Sequence, residues 1–283
     1  MLSKKNNILK NSWKKMTIAE SLRLAIREEM IRDKKVFCIG EDIGIKGGFG
    51  GAFTVTLGLS DEFGNDRIID TPISEIGIAG VAIGAALSGM RPIADVQYSD
   101  FLFCAMDQLA NQAAKFSFMS GGKLKVPMVM RAPGGATTRG SQHSQSLESY
   151  FIHVPGLKVA CPSNAYDAKG LLKTAIRDDS PVLFFEHKLL YGSKGNRSEK
   201  DSISPISEVP LYDYTIPFGK GTIKKKGTDI TLLGKLRTVY TAIEAANELE
   251  KENISCEVID PRTLVPLDIN LITKSVKKTG SLV

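Results

Sequence analysis

The sequence has 283 residues, 42% of them hydrophobic and 24% charged, with a formal net charge of +6. That is globular composition, sized for one large domain or two smaller ones. It contains no apolar run of about 18 residues, which argues against a membrane span. Residues 1–16 read as a basic tail, with Lys4, Lys5, Lys10, Lys14 and Lys15, and Lys224 to Lys226 add a charged turn. No nucleic-acid-reading module accompanies this charge, and the first 15 residues lack the apolar core of a secretory signal. From Thr17 the pattern becomes regular. Thr17 can cap a helix with Glu20 as its capping-box partner, followed by Ile18, Leu22, Ala25 and Ile26 at helical spacing. A strand is predicted over 36–39, a glycine-rich loop over 46–52 and a strand end at 68–70, after which Ser74 opens a glycine–alanine helix that should be buried on nearly every side. Further strands are predicted over 92–96, 126–131, 157–160 and 181–186, with helices over 101–115 and 166–177 and a polar loop over 132–148. This alternation indicates an α/β domain, 17–191, with a mostly parallel sheet.

Residues 192–217 lose periodicity and read as a linker; a second, smaller α/β domain, 218–283, follows. Its strands are predicted at 230–233 and 256–259, with a helix over 238–252 between them. Lys274 to Thr279 should end another helix, Gly280 should cap it, and Ser281 to Val283 should begin a strand, so this domain reads as incomplete. Cys38, Cys104, Cys161 and Cys256 lie in or beside apolar runs without a Cys-x-x-Cys pair. They read as free buried thiols in a reducing compartment, the cytoplasm or an organellar matrix.

The chemistry concentrates in Asp70-Thr71-Pro72-Ile73-Ser74-Glu75, which leaves a strand and enters the apolar helix. Glu75 suits the helix dipole in the first turn. At the mouth of a helix apolar on nearly every side, its carboxyl would also be partly desolvated and available as an acid. Gly77, Gly80 and Gly84 leave one helix face bare for close approach of another backbone, as between subunits.

With Gly77-Ile78-Ala79-Gly80, this segment resembles the signature of the beta subunits of the decarboxylating first component of 2-oxo acid dehydrogenase complexes, thiamine-diphosphate enzymes of transketolase type. The resemblance extends in order through Gly51-Ala52-Phe53, Gly89-Met90-Arg91-Pro92, Met119-Ser120-Gly121-Gly122, Gln142-His143-Ser144-Gln145-Ser146, Pro155-Gly156-Leu157-Lys158-Val159, Asp167-Ala168-Lys169-Gly170-Leu171-Leu172 and Ala175-Ile176-Arg177-Asp178. It implies a pyrimidine-binding domain followed by a smaller transketolase C-terminal-type domain. It also implies that Glu75 hydrogen-bonds a ring nitrogen of the cofactor's aminopyrimidine. That bond favours the imino tautomer, which deprotonates the thiazolium carbon. Phe101 would stack on the same ring and Ile73 would lie near it, although Phe101 would equally suit a core. His143, in isolation an ordinary loop histidine, would handle the hydroxyalkyl intermediate and its passage to lipoamide. A structural potassium ion would be held mainly by carbonyls of Met128, Ala175, Ile176, Asp178 and Ser180, where Asp178 could instead simply end a helix.

The sequence has no Gly-Asp-Gly motif for magnesium and diphosphate and no Walker loop. The resemblance therefore implies an alpha subunit that holds the magnesium and the diphosphate, in an alpha-two-beta-two assembly. It also implies a lipoyl-bearing acyltransferase as the acceptor. Pyruvate is the first expectation for the substrate, then acetoin, then branched-chain 2-oxo acids. A non-catalytic assembly subunit or a truncated fragment is the alternative of another class.

Overall fold

The computed structural model describes residues 12–137, 139–192 and 205–283. Residues 1–11 of the expected tail and 193–204 of the expected linker lie outside the described residues. The strands are β1 (Trp13–Met16), β2 (Val36–Glu41), β3 (Ile68–Thr71), β4 (Arg91–Asp95), β5 (Val129–Gly134), β6 (Lys158–Ala160), β7 (Val182–His187), β8 (Ser207–Pro210), β9 (Thr222–Lys225), β10 (Ile230–Leu233), β11 (Cys256–Asp260) and β12 (Thr263–Val265). The principal helices are α1 (Ile18–Arg32), α2 (Glu75–Leu87), α3 (Ala165–Arg177), α4 (Thr238–Glu250) and α5 (Ile269–Thr279).

Seven strands form the main sheet in the order β12-β6-β7-β5-β4-β2-β3. All its pairings are parallel except that of β12 with β6. Side chains alternate between two cores, as a strand's period of two requires. Val36 and Cys38 of β2 and Val182 and Phe184 of β7 enter one core, with α1 and α3; Phe37, Ile39, Leu183 and Phe185 enter the other, with α2. Both faces are thus covered, which a parallel sheet needs. α1 starts with the expected capping box: Thr17 N donates to Glu20 Oε2 at 2.8 Å and Glu20 N donates to Thr17 Oγ1 at 3.2 Å.

A second sheet, β10-β11-β9, lies in the C-terminal part, with β10 parallel and β9 antiparallel to β11. Residues 281–283 pair onto β10 as expected: Thr231 N donates to Ser281 O and Val283 N donates to Thr231 O, both at 2.9 Å. Gly280 caps α5 in the left-handed conformation, φ 77°.

The structure departs from the sequence-based expectations in five places. Trp13–Met16, expected as tail, is β1, and it pairs antiparallel with β8, which was expected as linker. Backbone pairing holds this ribbon, Met16 and Val209 anchor it in the core, and Trp13 stacks on Tyr166 of α3 at 6.3 Å. β12 belongs by sequence to the C-terminal domain yet pairs with β6 in the first sheet. The helix expected over 101–115 is a 3-10 turn, Ser99–Ala105, followed by a π-helical segment, Gln108–Ala113. α2 is buried only along Ile78, Ala79, Ala82, Ile83 and Ala86. Its opposite face, with Ile76 54% and Val81 55% exposed, is open beside the bare glycines, because no element among the described residues packs there. Finally, Cys104 is exposed, since it projects outward from the 3-10 turn; the other three thiols are buried.

Candidate cofactor site

Four neighbouring parallel strands, β5, β4, β2 and β3, end at a cleft of about 810 Å³. Carboxyl ends of parallel strands are where open α/β sheets place ligands. β2 delivers Glu41 and Asp42, and the turn after β3 delivers Ile73 and Glu75. β4 delivers Gln97 and Tyr98, the 3-10 turn delivers Phe101 and Cys104, and the loop after β5 delivers His143. Ile45, Phe49 and Ala52 complete an apolar wall.

The three residues expected at the aminopyrimidine, Glu75, Ile73 and Phe101, therefore line one cavity with His143, which was expected at the hydroxyalkyl intermediate. Glu75 is the first residue of α2, after the cap Ser74, whose Oγ accepts from Gly77 N at 3.3 Å. Its side chain is half-buried, not enclosed, because the open face of α2 begins there. Ile73 is 74% exposed, an apolar side chain without cover among the described residues. Phe101 and His143 meet edge-on at 5.4 Å between ring centres, and Tyr98 meets both, at 5.7 and 4.8 Å.

The charge of the cleft is negative. Burial pushes the Glu41 carboxyl up, and so does repulsion from Asp42, Glu75 and Asp70. Such a wall favours a cationic or proton-accepting heterocycle and opposes a diphosphate.

Below the cleft lies a buried charge network. Arg131 is 1% exposed; its Nε and Nη2 donate to the two oxygens of Glu186 at 2.8 and 2.6 Å, and its Nη1 donates to Asp95. The Tyr191 hydroxyl also donates to Glu186, and burial pushes that hydroxyl well up from its usual range. The network reaches the lining. Asp95 Oδ1 accepts from Gln97 N at 2.9 Å, and Gln97 bridges Ala52 N, at 2.9 Å, and the Glu41 carbonyl. Gln97 and Asp42 hold left-handed backbones, φ 61° and 55°, a strain typical of functional sites. Periodicity could not show either residue. The polar run Gln97-Tyr98-Ser99-Asp100 directly after an apolar strand was the available signal.

Four of the five carbonyls expected at potassium accept a hydrogen bond within the chain. Arg91 Nη1 donates to the carbonyls of Ile176 and Asp178 at 3.0 and 2.9 Å, and Val182 N donates to Met128 O at 2.9 Å. Asp178 N bonds the Ala175 carbonyl, and Ser180 N is held by Asp178 Oδ1 at 2.8 Å. Arg91 thus supplies the positive charge at this turn. Each of these carbonyls keeps a second lone pair, and no step is derived through potassium.

Comparison with known proteins gives the family. The model of the transketolase pyrimidine binding domain matches residues 14–194, and that of the transketolase C-terminal domain matches residues 219–283. The chain is 48% identical to the pyruvate dehydrogenase E1 component subunit beta of Rickettsia bellii over 95% of its own length and 78% of that protein's. It is 46% identical to the 2-oxoisovalerate dehydrogenase subunit beta of Bacillus subtilis, covering 94% of this chain and 78% of that protein. It is 47% identical to the acetoin:2,6-dichlorophenolindophenol oxidoreductase subunit beta of Cupriavidus necator, covering 95% and 78%. A solved split-gene transketolase, an inactive beta4 tetramer, superposes with a TM-score of 0.72 at 22% identity over 95% of this chain and 79% of that one, a likeness of fold. The chain belongs to the family of beta subunits of the first component of 2-oxo acid dehydrogenase complexes, built on transketolase-type pyrimidine-binding and C-terminal domains.

Proposed function

We propose that this chain is the beta subunit of a pyruvate dehydrogenase first component and that its cleft holds the aminopyrimidine end of thiamine diphosphate. The observation that carries this is the convergence of Glu75, Ile73, Phe101 and His143 on one cavity at the entrance of α2. The lining fits that group: aromatic and aliphatic side chains offer a slot for a flat ring, and Glu75 offers a carboxyl at the helix entrance. Bound there, thiamine diphosphate supplies the electron sink for decarboxylation. Glu75 donates its proton to a ring nitrogen and holds it there. Phe101 and Ile73 orient the ring, and His143 moves a proton at the reacting oxygen. The acidic wall leaves the anionic tail and its magnesium to an alpha subunit, which would also cover Ile73 and the open face of α2. A lipoyl group on an acyltransferase would accept the acyl product. Acetoin and branched-chain 2-oxo acids remain the alternatives, since relatives named for all three substrates are 46–48% identical to this chain. No helix among the described residues is long and apolar enough to cross a membrane; the cytoplasm is the proposed compartment, with an organellar matrix second.

The test is Glu75→Gln in the enzyme reconstituted with its alpha subunit and assayed on pyruvate, acetoin and 2-oxoisovalerate. Loss of proton donation should lower turnover by about 10²–10⁴-fold. Near-normal turnover would end the assignment. So would full activity of this chain alone with magnesium and thiamine diphosphate.

A further inference from the structure

His143 sits on a loop, yet its ring is held against Tyr98 and Phe101. The contact that fixes it comes from the opposite wall. Asp100 is only 6% exposed and directly precedes Phe101 on the 3-10 turn. Its Oδ1 accepts two hydrogen bonds from Gln145, from the backbone N at 3.3 Å and from side-chain Nε2 at 2.9 Å. Gln145 stands two residues after His143, and its carbonyl accepts from Gly135 N at 2.9 Å at the base of the loop. One carboxylate therefore ties the wall that bears Phe101 to the loop that bears His143. Thr137 and Ser144, whose hydroxyls lie 2.9 Å apart, brace the loop against itself, Thr137 Oγ1 also accepts from Lys188 Nζ at 3.3 Å, and Arg139 Nη1 donates to the Tyr98 hydroxyl at 3.2 Å.

Stability alone does not account for Asp100. Its second oxygen, Oδ2, is buried without a hydrogen-bond partner among the described residues, a cost that an apolar side chain would avoid. The backbone at Gly134 is also shaped to this contact. A Cβ there would displace Ser99 Oγ and press on the Gln145 carbonyl at 3.2 Å, so glycine lets the two walls approach closely.

We propose that Asp100 is a positioning residue for His143, clamping Gln145 so that the imidazole stands over the cofactor cleft. The catalytic consequence rests on the role proposed for His143; the clamp itself does not. The full chain has three histidines, so the His143 ring signal is separable by NMR of histidine-labelled protein and assignable with His143→Gln. Asp100→Asn keeps an Oδ1 acceptor and should leave the signal in place. Asp100→Ala should move it to the position of a free histidine. Gln145→Ala, at an exposed residue, should move it part of the way, and it decides the matter should Asp100→Ala fail to fold. In the reconstituted enzyme, Asp100→Ala should lower kcat about 10²-fold, as misplacement of a reacting group does, with activity restored in Asp100→Asn. The double variant with His143→Ala should be no slower than His143→Ala alone. A His143 signal unmoved in Asp100→Ala or Gln145→Ala, or losses that multiply in the double variant, would overturn the clamp. Full activity in His143→Ala would instead remove the catalytic role, while the NMR arm still judges the clamp.

Discussion

His187→Asn isolates one source of acid sensitivity. His187 ends β7 with its Nδ1 accepting from Leu189 N at 3.2 Å. Burial, and then the positive charges of Lys188, Arg237 and Lys235, push its imidazole down to about 4 from an ordinary value of 6.5. The folded state therefore holds the ring neutral where the unfolded chain would protonate it. Above pH 6.5 the difference costs nothing; as pH falls from 6.5 toward 4 the unfolded state binds the extra proton and stability is lost. The loss approaches about 2 kcal/mol at pH 5 and about 3 kcal/mol at pH 4, at roughly 1.4 kcal/mol per unit. Asparagine offers an oxygen acceptor to Leu189 N and does not titrate. Urea melts of the full chain and of His187→Asn, at pH 7.5, 6, 5 and 4, cancel the carboxylates common to both. The wild type's advantage over the variant should shrink by about 2 kcal/mol between pH 7.5 and pH 5. An advantage that stays constant across this range would refute the buried-neutral account of His187.

Two further outcomes are expected. Arg131→Met strands Asp95 and Glu186 as buried carboxylates without their cation, and should cost about 3–5 kcal/mol in a urea melt at pH 7.5; a cost below about 1 kcal/mol would mean that water reaches this network. Thr17→Ala removes the hydroxyl that accepts from Glu20 N, leaves the Thr17 N bond to Glu20 in place, and should cost about 1 kcal/mol, with the m-value unchanged.

Much of the fold was legible because its signals are local. Thr17 and Glu20 carry a cap in four residues, and β10 and β11 fall within a residue of the positions their apolar runs indicate. Ile73, Glu75, Phe101 and His143 were legible only through resemblance, since a histidine in a polar loop or a phenylalanine in an apolar run carries no mark of a cleft. What escaped is long-range or conformational. β1 meets β8 across nearly 200 residues by antiparallel backbone pairing, which no period encodes. Arg131 reads as one polar residue in a strand until Asp95 and Glu186 arrive from its neighbours β4 and β7. Gln97 enters the cleft through a left-handed backbone that its side chain does not announce. The bare face of α2 was visible as glycines at 77, 80 and 84, but the pattern could not say that the described residues leave that face without cover.

The antiparallel attachment of β12 to β6 has a practical meaning for anyone recombining such subunits. Thr263 accepts Gly219 N at its hydroxyl, at 2.9 Å, while its own strand is stitched to Ala160. A chimera joined at the obvious sequence border near residue 217 would graft a foreign hem onto the N-terminal sheet. Compatibility would then be decided at Thr263 to Val265 against Val159 and Ala160, some 45 residues past the splice.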